Sequence, residues 1–155
     1  MVALFGVILL ISLLLPSTVR ISRAIDINAP VERLYPLLGE ITRWKDWNEY
    51  VRNYPQAVIT STTLHSPDIS IEITGSNSKL VSSAWQAPGG NLFQCGYAIY
   101  GSNKRHLTCT VQWYFSFHVR WYPWEKLQSI VYDQQFGPIM EHSLVNLKRI
   151  AENVN

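Results

Sequence analysis

The side chains able to do chemistry are few and scattered. His65, His106, His118 and His142 share no zinc-ligand spacing, and no His-Glu-x-x-His occurs. General acid–base work by His65 or His106 needs a positioned partner, and neither has one nearby in sequence. Glu72 alternates with the isoleucines of its segment, so it is either a solvated outer residue or a polar group inside a cavity. Asp133 carries the same ambiguity. No nucleophile elbow and no phosphate-cradling glycine loop are present. The pattern predicts no catalytic constellation, no metal site and no cofactor. Tyr97 is the one hydroxyl expected on an inward-facing strand position.

What must position these residues is legible from periodicity. Thr18 to Ile27 alternates, with Val19, Ile21, Arg23, Ile25 and Ile27 on one face, which predicts a half-buried strand. Arg23 interrupts that face and is expected near a sheet end. Asn28-Ala29-Pro30 predicts a helix start, and Gly39 its end, with Pro36 shortening or kinking it. Ile41 to Tyr50 predicts a second short helix, capped by Thr42, in which Trp44 and Trp47 share a face. Strands are then predicted over 57–61, 69–74, 80–86, 92–100 and 107–119. In the last of these Cys109, Val111, Trp113, Phe115 and Phe117 alternate with Thr110, Gln112, Tyr114, Ser116 and His118, so one face is buried and the other wet. Pro123 opens the C-terminal helical region. Gly137-Pro138 is expected to interrupt it, before Met140, Leu144, Leu147 and Ala151 recur at helical steps.

The first residues form a different unit. Val2 to Leu15 is uncharged and apolar on every face. Fourteen helical residues reach about 21 Å, and extension to Val19 about 27 Å, near the roughly 30 Å hydrocarbon core of a bilayer. A cleaved signal peptide fits the length, but a basic n-region and an A-x-A-like site are missing. A core helix at a domain edge would show one polar side. Residues 1–17 are therefore expected to be a transmembrane anchor, and 18–155 one domain. Arg20 and Arg23 flank the apolar run but belong to the first strand, which leaves the side of the membrane open.

Composition narrows the rest. The chain has 155 residues, is 47% apolar and 15% charged, and contains six Trp and eight Tyr, so many rings must be buried or line a cavity. A net charge of +2, spread out, argues against a nucleic-acid partner. Cys95 and Cys109 fall on neighbouring predicted strands. A three- or five-residue hairpin loop centred on Ser102 would set them opposite each other. They are then either a cross-strand disulfide in an oxidising compartment or two small buried residues.

The order of elements, with the residues VRISRAIDINAPVERLYPLLGEITRWKDW at one end and YFSFHVRWYPWEKL and FGPIMEHSLVNLKRIAEN at the other, resembles the START-like (SRPBCC, helix-grip) superfamily. It looks most like the membrane-anchored polyketide cyclase/dehydrase-type members. The likeness covers about residues 18 to 153, and the stretch 72–86 departs from the usual glycine and tryptophan pattern. The resemblance implies an α+β fold, a curved antiparallel sheet wrapped around a long C-terminal helix, enclosing a cavity for a hydrophobic molecule such as a lipid, isoprenoid or quinone. No universal catalytic residues come with it. The expected cavity lining is Phe93, Tyr97, Trp113, Phe115 and Phe117 from the sheet, and Leu127, Ile130, Val131 and Gln134 from the helix. Trp121, Tyr122 and Trp124 are expected at a mouth near lipid or packed against the helix start. The alternatives are a cyclase/dehydrase-like enzyme using Tyr97 or a histidine with bound water, and an interaction protein whose cavity has collapsed. Oligomeric state has no sequence signal.

Overall fold

A computed structural model describes residues 18–90, 92–101, 108–118 and 123–153, with 123–130 as backbone alone. The N-terminal apolar run, His106, Trp121 and Tyr122 lie outside the described residues. The elements run β1 (Thr18–Ile27), α1 (Val31–Gly39), α2 (Ile41–Trp47), α3 (Glu49–Arg52), β2 (Val58–Ile59), β3 (Thr63–His65), β4 (Ser70–Ser76), β5 (Leu80–Gln86), β6 (Leu92–Tyr100), β7 (Cys109–His118) and α4 (Pro123–Glu152). The strands form one curved antiparallel sheet in the order β1-β7-β6-β5-β4-β3-β2. The three short helices carry the chain from one edge of the sheet to the other, and a meander brings it back. Among the described residues no helix is long and apolar enough to cross a membrane.

Local chemistry explains the elements. The β1 register against β7 pairs Ile21 with Phe115 and Ile25 with Val111, so both apolar faces point the same way. Two short helices were expected after β1, and three are found. Asn48 divides the second predicted one, because the N–H groups of Tyr50 and Val51 donate to its Oδ1 and start a new turn. The cap of α2 falls at Glu40, not Thr42, and Pro36 sits inside α1 without ending it. His65, expected in a loop, lies in the short strand β3 that the sequence reading lacked.

The largest departure is in α4. Gly137-Pro138 was expected to break the helix, yet α4 is continuous over 30 residues. Gly137 is a notch. A Cβ there would collide with Nη2 of Arg23, whose guanidinium reaches across from β1. Arg23 pairs with Asp133 at 3.0 Å and with Glu141 at 2.7 Å, one carboxylate a turn before the notch and one a turn after it. Arg23 therefore lies mid-strand opposite Trp113, on the strand that ends the sheet, and its charge is matched by the helix it faces.

The second half of α4 seals one end of the core. Met140, Leu144, Leu147 and Ala151 are all buried. Polar bonds fix the same half: the Glu49 N–H donates to Ser143 Oγ (2.9 Å), Lys148 Nζ to the Asp26 carbonyl (2.8 Å), and the Asn28 N–H to Glu152 Oε1 (2.8 Å). On the outer face of the sheet, the Tyr114 ring lies over Gly96 and the Arg20 guanidinium stacks on that ring, 4.2 Å from its centre. A Cβ at position 96 would overlap the ring. Gly96→Ala is expected to cost about 1–3 kcal/mol in urea unfolding, and an unchanged midpoint would contradict this packing.

Candidate functional site

The inward positions of the central strands carry aromatic rings in two layers. The deep layer combines Trp44 and Trp47 from α2 with Tyr97, Trp113 and Trp85 from the sheet. Ring centres are 5.3 Å apart for Trp44–Tyr97, 5.6 Å for Trp47–Tyr97 and 6.2 Å for Trp47–Trp113, mostly edge-to-face. α2 presents both tryptophans because a three-residue step keeps them on one face. Their indole N–H groups donate to the Leu38 and Leu37 carbonyls at 2.9 and 3.0 Å.

Every polar group in this layer has a partner. Asn48 Nδ2 donates to the Tyr97 hydroxyl at 3.2 Å, Trp113 Nε1 to Cys95 Sγ at 3.0 Å, and Trp85 Nε1 to Ser83 Oγ at 2.9 Å. No buried side-chain nitrogen or oxygen among the described residues lacks one. Burial, and then the neighbouring Cys95, push the Tyr97 phenol well above its ordinary value. Burial likewise pushes the Cys95 thiol up to about 12. Both stay neutral and bonded, so neither is poised as a base or a nucleophile.

The shallow layer differs. Tyr50 and Tyr54 from α3 and the turn after it, Phe93 from β6, and Tyr132 and Phe136 from α4 remain half-buried around the buried Phe117. Phe117 stacks on Tyr132 at 4.8 Å and meets Phe93 edge-on at 5.1 Å. Tyr50 lies 5.2 Å from Trp85 and 6.0 Å from Phe136. Burial, then Tyr54, raise the Tyr50 phenol, so it too stays neutral. Among the described side chains the result is a partly exposed cluster of uncharged rings between the sheet and residues 131–136 of α4, the candidate aromatic cleft.

The expected lining residues divide accordingly. Phe93, Tyr97, Trp113, Phe115 and Phe117 all point inward, but Tyr97 and Trp113 are 0% exposed. A side chain with no accessible surface borders no water-sized space, so these two are floor under the cleft and not its wall. Phe115 and Phe117, at 2% and 3%, are nearly as enclosed, and Phe93 stands in the cleft. The side chains of Leu127 and Ile130 lie outside the described residues. Val131 is 57% exposed and Gln134 is exposed, so neither faces the sheet. The helix turns Tyr132 and Phe136 inward instead. Those two rings, in step with Met140 and Leu144 at intervals of four, were the available signal, and the aliphatic Val131 obscured it. Tyr50, Tyr54 and Trp85 were also missed, because their approach depends on how α3 folds back.

The other singled-out residues lie elsewhere. His118 and Glu72 are exposed on the outer sheet face, His65 Nδ1 bonds Ser70 Oγ at 2.9 Å, and exposed His142 lies 3.5 Å from Glu49. Asp133 is the partner of Arg23. Among the described residues no three His, Cys, Asp or Glu side chains gather as metal ligands. Depressions of about 460 Å³ by Val31, Lys79 and Tyr100, and about 420 Å³ over Ser82, Gln94 and Tyr114, do not touch the aromatic cleft.

The cysteines are not joined. β6 and β7 pair Cys95 with Phe115, while Cys109 sits opposite Ile27 on β1. From Phe115 to Cys109 is six positions along β7, about 20 Å at strand rise, against the roughly 7 Å limit between Cα atoms of a disulfide. Both are free and buried. A thiol reagent is expected to label neither in the native protein and both after denaturation. The Cys95 thiol, lifted from 9.0 to about 12, contributes stability that is complete below its ordinary value and lost as pH rises through that window. Rapid native labelling near neutral pH would contradict the burial.

Comparison with known proteins bears on the fold. No protein-family model and no curated protein matches the chain. Solved structures do match. XoxI from Bacillus cereus is 17% identical with a TM-score of 0.60, over 85% of this chain and 94% of that one. Norcoclaurine synthase from Thalictrum flavum is 9% identical with a TM-score of 0.58, over 89% and 96%. CalU16 from Micromonospora echinospora is 12% identical with a TM-score of 0.55, over 84% and 73%. Likeness at such low identity is a likeness of architecture, and on it the chain carries the helix-grip fold.

Proposed function

We propose that this domain binds an uncharged hydrophobic small molecule in the aromatic cleft, and that residues 1–17 hold it on a membrane. One observation carries the first part. Among the described residues, most large rings packed on the inner sheet face are enclosed, whereas Phe93, Tyr132, Phe136, Tyr50 and Tyr54 stay half-buried and linked by ring contacts, apart from the lone half-buried Tyr35 of α1. Clustered, partly exposed rings mark a surface that gains by being covered. The rings that make the cluster carry no charge, and the nearby Arg23 is paired with Asp133 and Glu141, which favours a neutral guest of the lipid, isoprenoid or quinone kind. The anchor rests on the uncharged run from Val2 to Leu15.

A binding role is favoured over a cyclase/dehydrase-like enzyme because Tyr97, the inward hydroxyl, is enclosed and already bonded to Asn48. A fully collapsed interaction module is disfavoured by the same half-open rings.

The probe for the cleft is N-phenyl-1-naphthylamine, a neutral fluorophore, added to the full chain in nanodiscs and read by tryptophan-sensitised emission against empty discs. Saturable binding is expected, weakened about tenfold by Phe93→Ala or Tyr132→Ala, the loss of one aromatic contact face. Tyr97→Phe should leave that affinity unchanged while lowering thermal stability, because Asn48 Nδ2 loses its acceptor. Emission that never saturates, or that ignores both truncations, rejects the cleft. For the anchor, the full chain should float with vesicles after an alkaline carbonate wash, and recovery in the soluble fraction refutes it.

A further inference from the structure

We infer, on the binding and anchoring roles proposed above, that the end of the sheet where β1 begins is seated in the headgroup layer of the membrane. The half-buried Phe93 and Tyr132 then lie beside the layer in which an uncharged guest dissolves. Register sets the positions. The pairs Thr18–His118, Leu92–Gln86, Gln86–Ser70 and Ser70–His65 make one row across the sheet, with Leu92 set opposite His118 by the Gln94–Ser116 pair. The next row holds Val19, Phe117, Phe93 and Trp85. Phe117 stacks on Tyr132 and meets Phe93 edge-on, so these rings lie one strand step, about 3.4 Å, from the end row. The ring cluster and the first residue of β1 therefore share one end of the domain.

Chain length limits how far that end stands from lipid. Only Pro16 and Ser17 separate the apolar run ending at Leu15 from Thr18, which is already paired with His118 in the sheet. Three residue steps span at most about 11 Å fully extended, and the headgroup layer on each side of a bilayer is about 5–8 Å thick. An anchor over residues 1–17 reaches about 25 Å as a helix, short of a roughly 30 Å hydrocarbon core, which draws the junction toward the lipid. The end row thus falls within the headgroups or just above them. The far end of β1, nine steps on, stands about 30 Å further out, where Lys148 and Glu152 bond the backbone of Asp26 and Asn28.

Charge decides between standing and lying. A sheet flat on its outer face would press the exposed carboxylates of Asp26 and Glu72 against lipid. Standing on its end row, it offers Leu92, 56% exposed, and the turn Ala87-Pro88-Gly89-Gly90. Asp68 is the one carboxylate among the described residues of that row and its turns.

Depth-dependent quenching reads the geometry. Leu92→Cys, Tyr100→Cys and Glu72→Cys are made singly in the full chain, whose own Cys95 and Cys109 are buried, and each new thiol is labelled with the fluorophore NBD. The proteins are placed in phosphatidylcholine vesicles with or without lipid carrying a nitroxide at carbon 5 of its acyl chain, and flotation selects the vesicle-bound fraction. The label at position 92 is expected to be quenched about threefold more than at position 100 on the far end or 72 on the outer face, as a separation much larger than the headgroup layer requires. Pro88→Cys, in the neighbouring exposed turn, repeats the reading should Leu92→Cys fold poorly. Equal quenching at 92 and 100, or at 92 and 72, overturns the seating. In that event flotation still reports on the anchor and saturable N-phenyl-1-naphthylamine binding on the cleft, so the seating fails apart from either.

Discussion

A helix about 10 Å across lies on a sheet whose seven strands, about 4.8 Å apart, span about 30 Å. One cylinder leaves most of that apolar face uncovered. The shortfall is met by α2, a seven-residue helix that drives Trp44 and Trp47 into the space beside α4. Tryptophan suits the task because each ring removes a large area from water and its single N–H is answered locally by the carbonyls ending α1. Once these two rings are seated, Tyr97, Trp113 and Trp85 have no freedom left. Among the described rings, those left half-buried lie beyond their reach, beside residues 131–136 of α4.

The deep layer also decides what kind of recognition the cleft can exert. Its polar atoms are spent on one another: Asn48 on Tyr97, Trp113 on Cys95, Trp85 on Ser83. Burial raises the phenol and the thiol, which keeps them uncharged. Under the proposed binding role, selection would come from shape and ring contact, with little contribution from ion pairing.

Much of the scaffold was legible in the amino-acid order because a half-buried strand must alternate. Cys109 to Phe117 declares its inner face, since each inward residue is apolar and each neighbour polar or amphipathic. The unreadable parts share a cause: they depend on partners distant in sequence. Gly137-Pro138 looks like a break until Arg23 is placed in it. The hairpin centre was set from Gly101-Ser102-Asn103-Lys104, but the pairing of Tyr100 with Thr110 centres it three positions later, which moves Cys95 away from Cys109. The phase of α4 was misjudged by one residue because aliphatic Val131 competes with aromatic Tyr132, and only the sheet's rings decide between them. The inward faces of the strands were legible in this way, and the inward face of the helix over 131–136 was not.

Strand β1 ends the sheet on one side, and two of its carbonyls are already engaged: Ser22 accepts from Arg23 Nη1 at 3.0 Å and Asp26 from Lys148 Nζ at 2.8 Å. An open border of this length is ordinarily an invitation for another chain to dock its own backbone and begin a fibril. Here two cations each engage one carbonyl of the ten-residue strand, so those two acceptors are no longer open to a neighbouring copy.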